Sequence, residues 1–215
     1  MPEPAPRRPA ADCALCPRLV AFRHDNRARH EDFHNAPVAS FGDLSARLLI
    51  VGLAPGLKGA NRTGRPFTGD FAGDLLYDTL RAFGFAKGRY GRRPDDGLKL
   101  VDCRVTNAVR CVPPENKPTT QEIRTCSDFL TAELRAMPDL RGVLALGTVA
   151  HGAVLSTLGL RKSAFAFGHG AVHDLPDGRP WLADSYHCSR YNTNTGRLTA
   201  EMFEAVFAEL KRRLG

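Results

Sequence analysis

Four short apolar runs, set apart by stretches of helical periodicity, constrain this chain more than any other feature. Leu48 to Leu53 reads LLIVGL and enters a glycine-rich loop. Leu98 to Val109 holds Leu98-Lys-Leu-Val and then Val105 to Val109; Gly142 to Leu146 reads GVLAL; Trp181 to Tyr186 reads WLADSY and runs into His187. A strand is apolar throughout, rather than alternately, when both faces of its sheet are covered, and intervening helices supply the cover. The pattern predicts a single-domain three-layer α/β/α sandwich around a mainly parallel central sheet. Helices are expected over Asp74 to Phe83, from a Thr119/Glu122 capping box to about Met137, and over Thr148 to Leu158. A last helix is capped by Thr199, carries an apolar stripe from Met202 to Leu210, and ends on Lys211, Arg212 and Arg213, which suit the negative end of its dipole.

A chain of 215 residues, 43% hydrophobic and 25% charged, suits one compact domain and excludes global disorder. We assign the domain to residues 13–215 and expect residues 1–12, rich in Pro, Ala and Arg, to form a disordered lead. No apolar run reaches the length of a membrane span, and the lead lacks a signal-like stretch, so a cytoplasmic protein is expected. The net charge of +7 favours a polyanionic partner, because lysines and arginines that neutralise phosphates release counterions. The segment Lys87 to Gly97 (KGRYGRRPDDG) reads as an exposed basic loop.

Ligands of open α/β sheets sit at the carboxyl ends of the strands, and three polar segments fall there. Gly52-Leu-Ala-Pro-Gly56 precedes Asn61-Arg-Thr-Gly-Arg-Pro-Phe-Thr-Gly-Asp70. Its glycines, with Ala54, let backbone N–H groups approach a ligand, and Phe67 can stack on a flat base. On shape alone the loop serves equally as a base site or as a phosphate loop of another α/β enzyme; it is neither a Walker A loop nor G-x-G-x-x-G. Asn107, ending the second run, offers the donor and acceptor that a pyrimidine edge requires, although a lone Asn more often closes a turn. His187 opens His187-Cys-Ser-Arg-Tyr-Asn-Thr-Asn-Thr-Gly-Arg197, a polar loop suited to an active site against DNA or, equally, to solvent.

Six cysteines in such a chain point to metal or redox chemistry rather than disulfides. Cys13-x-x-Cys16 with Cys111 and Cys126 makes a four-ligand set whose spacing does not decide zinc against iron. Cys103, within a strand, reads as a structural thiol; Cys188 has no spacing that makes it a ligand.

Together these motifs resemble the uracil-DNA glycosylase superfamily, most closely its bacterial and archaeal family 5, from Cys13 to the last helix. GLAPG with NRTGRPFTGD at 52–70 and HCSRYNTNTGRLT at 187–199 carry the resemblance. It implies a monofunctional enzyme of base excision repair that flips out uracil and other deaminated bases, hydrolyses the N-glycosidic bond and leaves an abasic site. It also implies a 4Fe–4S cluster on Cys13, Cys16, Cys111 and Cys126, with a structural role that tethers the strand end carrying Asn107. His187 and the loop N–H groups of Gly52, Ala54 and Gly56 would stabilise the leaving base. Asp70 would orient water or offset charge on the sugar, with a plain helix cap as the competing role. Phe67 would stack on the base and Asn107 would read it, with Ser189 beside them. Arg190, Tyr191 and Arg197 would grip DNA, Tyr191 as the wedge. The expected partner is damaged DNA, double- or single-stranded, bound by a monomer that meets the nucleoid only through that DNA. Two departures stand out: Cys188 replaces the usual proline, and Leu53 takes the place of a polar residue. The rival readings are a non-catalytic metal-cluster module that binds nucleic acid and a small-molecule hydrolase on the same fold.

Overall fold

The computed structural model describes residues 6–215. Its central sheet has the order β4-β1-β5-β7-β6. Strands β1 (Leu48–Gly52), β4 (Cys103–Asn107), β5 (Gly142–Leu146) and β7 (Trp181–Ser185) run parallel, and the short edge strand β6 (Val172–His173) is antiparallel to β7. The four parallel strands are the four apolar runs of the sequence. All five residues of β1, β4 and β5 are buried, as expected for strands covered on both faces.

The pleat sends alternate side chains to opposite layers. Leu48 and Ile50 of β1 pack with Leu76, Tyr77 and Leu80 of α3 (Phe71–Ala82) and Phe203 and Phe207 of α7 (Ala200–Leu214). Leu49 and Val51 face the other way, onto Leu130 of α4 (Thr120–Arg135) and Val154 and Leu155 of α5 (Thr148–Thr157). A third, smaller cluster joins Leu19 of α1 (Pro17–Arg29) to Val109, Cys126 and Phe129. The Thr119/Glu122 capping box forms reciprocally, and Thr199 accepts from the Met202 N–H.

Three features add to or alter those expectations. The run from Leu98 to Val109 is two strands: β3 (Lys99–Leu100) pairs with β2 (Ala86–Lys87) in a separate hairpin, and β4 starts at Cys103. Asp102 separates them, at φ 54°, held there by the backbone N–H and guanidinium of Arg47. Helix α1 was not anticipated, because its buried positions are Leu19, Arg23 and Asn26 rather than an apolar stripe. The basic loop is exposed but pinned. Asp96 pairs with buried Arg65, and Arg92 pairs with Asp74.

The described part of the N-terminal lead lies against α4. Pro6 is buried, and the Arg7 guanidinium lies 5.5 Å from the centre of the Phe129 ring. Residues 1–5 lie outside the described residues. Among those described, no helix is long and apolar enough to cross a membrane.

Candidate active site

The β1–β4 pairing sets Gly52 opposite Asn107 in register, and the ladder continues past both strands through the N–H groups of Ala108 and Val109 to the carbonyls of Gly52 and Leu53. Gly52 has to be glycine. A Cβ there would fall 2.4 Å from Asn107 Oδ1 and 2.4 Å from Phe67 Cζ. The missing side chain therefore lets an amide and an aromatic ring meet at the strand end.

Phe67 occupies the left-handed region at φ 50°, a cost of about 1–3 kcal/mol for a non-glycine residue. Its surroundings enforce the geometry: the Tyr77 hydroxyl donates to the Pro66 carbonyl at 2.6 Å, the Thr63 hydroxyl to the Thr68 carbonyl at 3.0 Å, and Arg65 to Thr68 Oγ1 at 2.8 Å. The ring stacks on His187, with centroids 5.8 Å apart.

Asp70 does two things at once. Its Oδ1 accepts from the Gly73 N–H and caps α3, as any N-cap would. Its Oδ2 lies against the glycine loop, where a Cβ on Gly59 would come within 2.0 Å and one on Gly56 within 3.0 Å. Burial raises its pKa, opposed mainly by the bond from the Gly73 N–H.

His187 follows β7 and is pushed down to about 4 by burial, so it is neutral at physiological pH. Asn192 Nδ2 donates to its carbonyl at 2.8 Å. Ser189 caps the short helix α6 (Arg190–Asn194) by accepting from the Asn192 N–H. Cys188 is fully buried, and its thiol donates to the Ala72 carbonyl at 3.4 Å. A sulfur-to-carbonyl contact between the His187 loop and the first turn of α3, which Asp70 caps, thus stands where a proline ring would stiffen the chain. Burial also raises the pKa of this thiol, which makes it an inert packing group.

These elements enclose a cleft of about 700 Å³ lined by Ala54, Gly56, Phe67, Asp70, Asn107, His187, Ser189 and Arg190. Gly52 lies behind it, in contact range of Asn107 and Phe67. Tyr191 and Arg197 are outside the lining; Tyr191 is 72% exposed, and Arg197 sits 4.5 Å over the Tyr186 ring. Lys58 and Asn116 line the cleft and escaped the sequence reading. Asn116 follows Glu115 on a turn in which both have positive φ. The Pro113-Pro114 pair marks that turn, but nothing local says that it folds over the cleft.

The four cysteines Cys13, Cys16, Cys111 and Cys126 line a single small pocket between the start of α1, the segment after β4, and α4. All are free thiols. Burial and the neighbouring thiols push Cys111 up to about 12, and burial pushes Cys126 up to about 11. The Arg110 N–H points at Cys126 Sγ from 3.4 Å. Arg23 Nη1 lies 4.0 Å from Cys111 Sγ, and its buried Nε has no partner. Four converging thiols, faced by N–H donors and an under-satisfied guanidinium, fit a thiolate-held metal group that leaves net negative charge.

The uracil DNA glycosylase superfamily model matches residues 39–211, which hold the cleft. The chain belongs to that superfamily. Curated relatives are similar over nearly the whole length. The type-5 uracil-DNA glycosylase of Thermus thermophilus is 51% identical, with 94% of each chain covered. That of Pyrobaculum aerophilum is 43% identical over 94% of this chain and 87% of the relative. The similarity to the type-4 uracil-DNA glycosylase of Thermotoga maritima is lower, at 34% identity over 64% of this chain and 58% of the relative. As a superfamily member, the protein carries its motif residues at the carboxyl ends of β1, β4 and β7, where this fold class places ligands.

Proposed function

We propose that this protein is a monofunctional uracil-DNA glycosylase of the type-5 kind. The observation that carries the reading is one cleft holding a buried amide, a strained aromatic ring, a neutral histidine and a desolvated carboxylate. Hydrolysis of the glycosidic bond builds negative charge on the base and positive charge on the sugar. Neutral His187 has one ring N–H to donate to the base, and N–H groups of the 52–56 loop add others. Asn107 reads the base edge, with Phe67 and Ser189 beside it. Asp70 Oδ2, free of the capping bond, serves the water or the sugar. A cleft of about 700 Å³ with Leu53 in its lining accommodates bases larger than uracil, and we extend the substrate range to deaminated purines such as hypoxanthine.

Arg190, Tyr191 and Arg197 are the proposed DNA contacts. Double- and single-stranded DNA are both substrates of a monomer that works in the cytoplasm and meets the nucleoid through DNA. We assign the cysteine pocket to a 4Fe–4S cluster. A single zinc ion, with Zn–S near 2.3 Å, needs its sulfurs within about 4 Å of one another. Among the described residues, no three of these thiols lie within 4.8 Å of one another, which favours the larger cluster over a single zinc ion. When bound, the cluster supplies a covalent tie between α1, α4 and the strand end that carries Asn107.

A panel of duplexes carrying uracil, hypoxanthine or xanthine, scored for abasic sites, tests the function. Abasic sites at uracil are expected. Tight binding without excision would favour the nucleic-acid-binding module instead.

A further inference from the structure

A second group of ligand-bearing side chains converges in the layer of α5 and the sheet edge. His151 of α5, His173 of β6 and Asp184 of β7 bring their ligand atoms within 4.8 Å of one another. Asp184 is fully buried and His151 is 3% exposed. His151 Nδ1 lies 2.8 Å from Asp184 Oδ1, and His173 Nε2 lies 3.3 Å from Asp184 Oδ2.

Each of the two buried groups is also held from outside. His151 Nε2 is 2.9 Å from the Phe165 carbonyl, and the Gly168 N–H points at Asp184 Oδ2 from 3.4 Å. Carbonyls behind imidazoles and amides behind carboxylates are the outer partners that orient metal ligands. The rings of Phe165 and Phe167 flank the histidines, which keeps the surroundings apolar.

A carboxylate this deep needs a positive charge beside it. A proton on His151 would supply one, bridging to Asp184 and the Phe165 carbonyl. His151 alone would suffice for that purpose. His173 arrives from a different strand and turns onto the other carboxylate oxygen, adding a third donor atom where no further charge needs neutralising. Two imidazole nitrogens and a carboxylate oxygen form the borderline donor set that suits zinc.

We propose that His151, Asp184 and His173 form a second metal site, separate from the cysteine pocket, that takes one divalent ion of the zinc type. The ion binds His151 Nδ1, His173 Nε2 and an Asp184 oxygen, and water completes its shell on the side of His173, whose side chain is 16% exposed. On binding, His151 Nδ1 releases its proton to solvent, His173 takes the tautomer with its proton on Nδ1 rather than Nε2, the two freed nitrogens give their lone pairs to the metal, and no redox change occurs. The site is structural: it clamps edge strand β6 and the 165–168 segment onto β7, the strand that delivers His187.

The test uses protein with its cysteine pocket loaded. Wild type and His173→Asn are incubated with one equivalent of zinc, desalted and analysed for zinc and iron, and their melting temperatures are recorded with and without zinc. His173 is partly exposed, so the variant should fold, and its melting curve without zinc checks this. We expect one zinc per wild-type chain, unchanged iron, a raised melting temperature, and zinc affinity weakened at least about tenfold in His173→Asn. Equal zinc retention by both proteins would place the metal elsewhere. No retention by wild type would leave a proton as the charge that holds Asp184. Either result overturns the proposal.

Discussion

In the proposed mechanism Asp70 serves stability through one oxygen and chemistry through the other. The capping bond uses Oδ1, while Oδ2 faces the loop of Gly56 and Gly59. Asp70→Asn separates the two, because asparagine caps as well as aspartate but cannot take a proton. The expected outcome is a normal melting temperature, retained DNA binding, and a single-turnover rate lower by roughly 10²–10⁴. Near-normal excision by the folded variant would show that the general-base role is wrong. His187 has the opposite character. With its pKa pushed down to about 4, it stays neutral well below pH 7, which suits the proposed role of N–H donor rather than titrating acid. His187→Ala should cost roughly 10²–10³ in rate. In wild type, this residue should impose no inflection on the rate between about pH 5 and 8. Protonation, and its effect on rate, begins only as the pH falls toward 4. An inflection near 6.5 that vanished in His187→Ala would contradict the neutral-donor role.

At the scale of elements, β4 is the piece on which the cleft depends, and a buried charge network holds it. Glu133 of α4 accepts from Arg104 at 2.6 Å, from Ser40 at 2.6 Å and from Arg110. Removing one member of a buried ion pair strands the others, so Glu133→Ala should lower stability by about 3–5 kcal/mol in chemical denaturation. A loss below 1 kcal/mol would show that the arginines find water instead. Helix α6 carries the other element-scale expectation. Tyr191→Ala should slow excision from paired duplex more than from single strand, because a wedge offsets unstacking that single strands do not need. Equal losses on both substrates would end the wedge assignment. The same scale shows what the sequence could reveal. The capping box, the four parallel strands and the cysteine set were legible because each depends on local pattern or spacing. Helix α1 was not, since it buries Arg23 and Asn26 where a stripe would show Leu or Val. The break at Asp102 depends on Arg47, far away in sequence. Asn116 and Lys58 reach the cleft, and His151 meets Asp184, only through tertiary folding, which no motif announces.

At the scale of the whole molecule, the sheet order places the loops after β4, β1 and β7 along one rim, and the cleft opens there among the residues that the motifs singled out. The surplus of +7 favours a phosphate backbone without specifying sequence, which in the proposed mechanism leaves recognition to the extruded base. The central claim is that the cleft breaks a glycosidic bond and does no more. The most direct measurement is single-turnover release of free base from a duplex with one uracil opposite guanine, followed alongside strand integrity before and after alkali. One free uracil per site is expected, from a strand that stays intact until alkali cleaves it at the abasic position. Bound duplex with no free uracil, or strand scission without alkali, would contradict it.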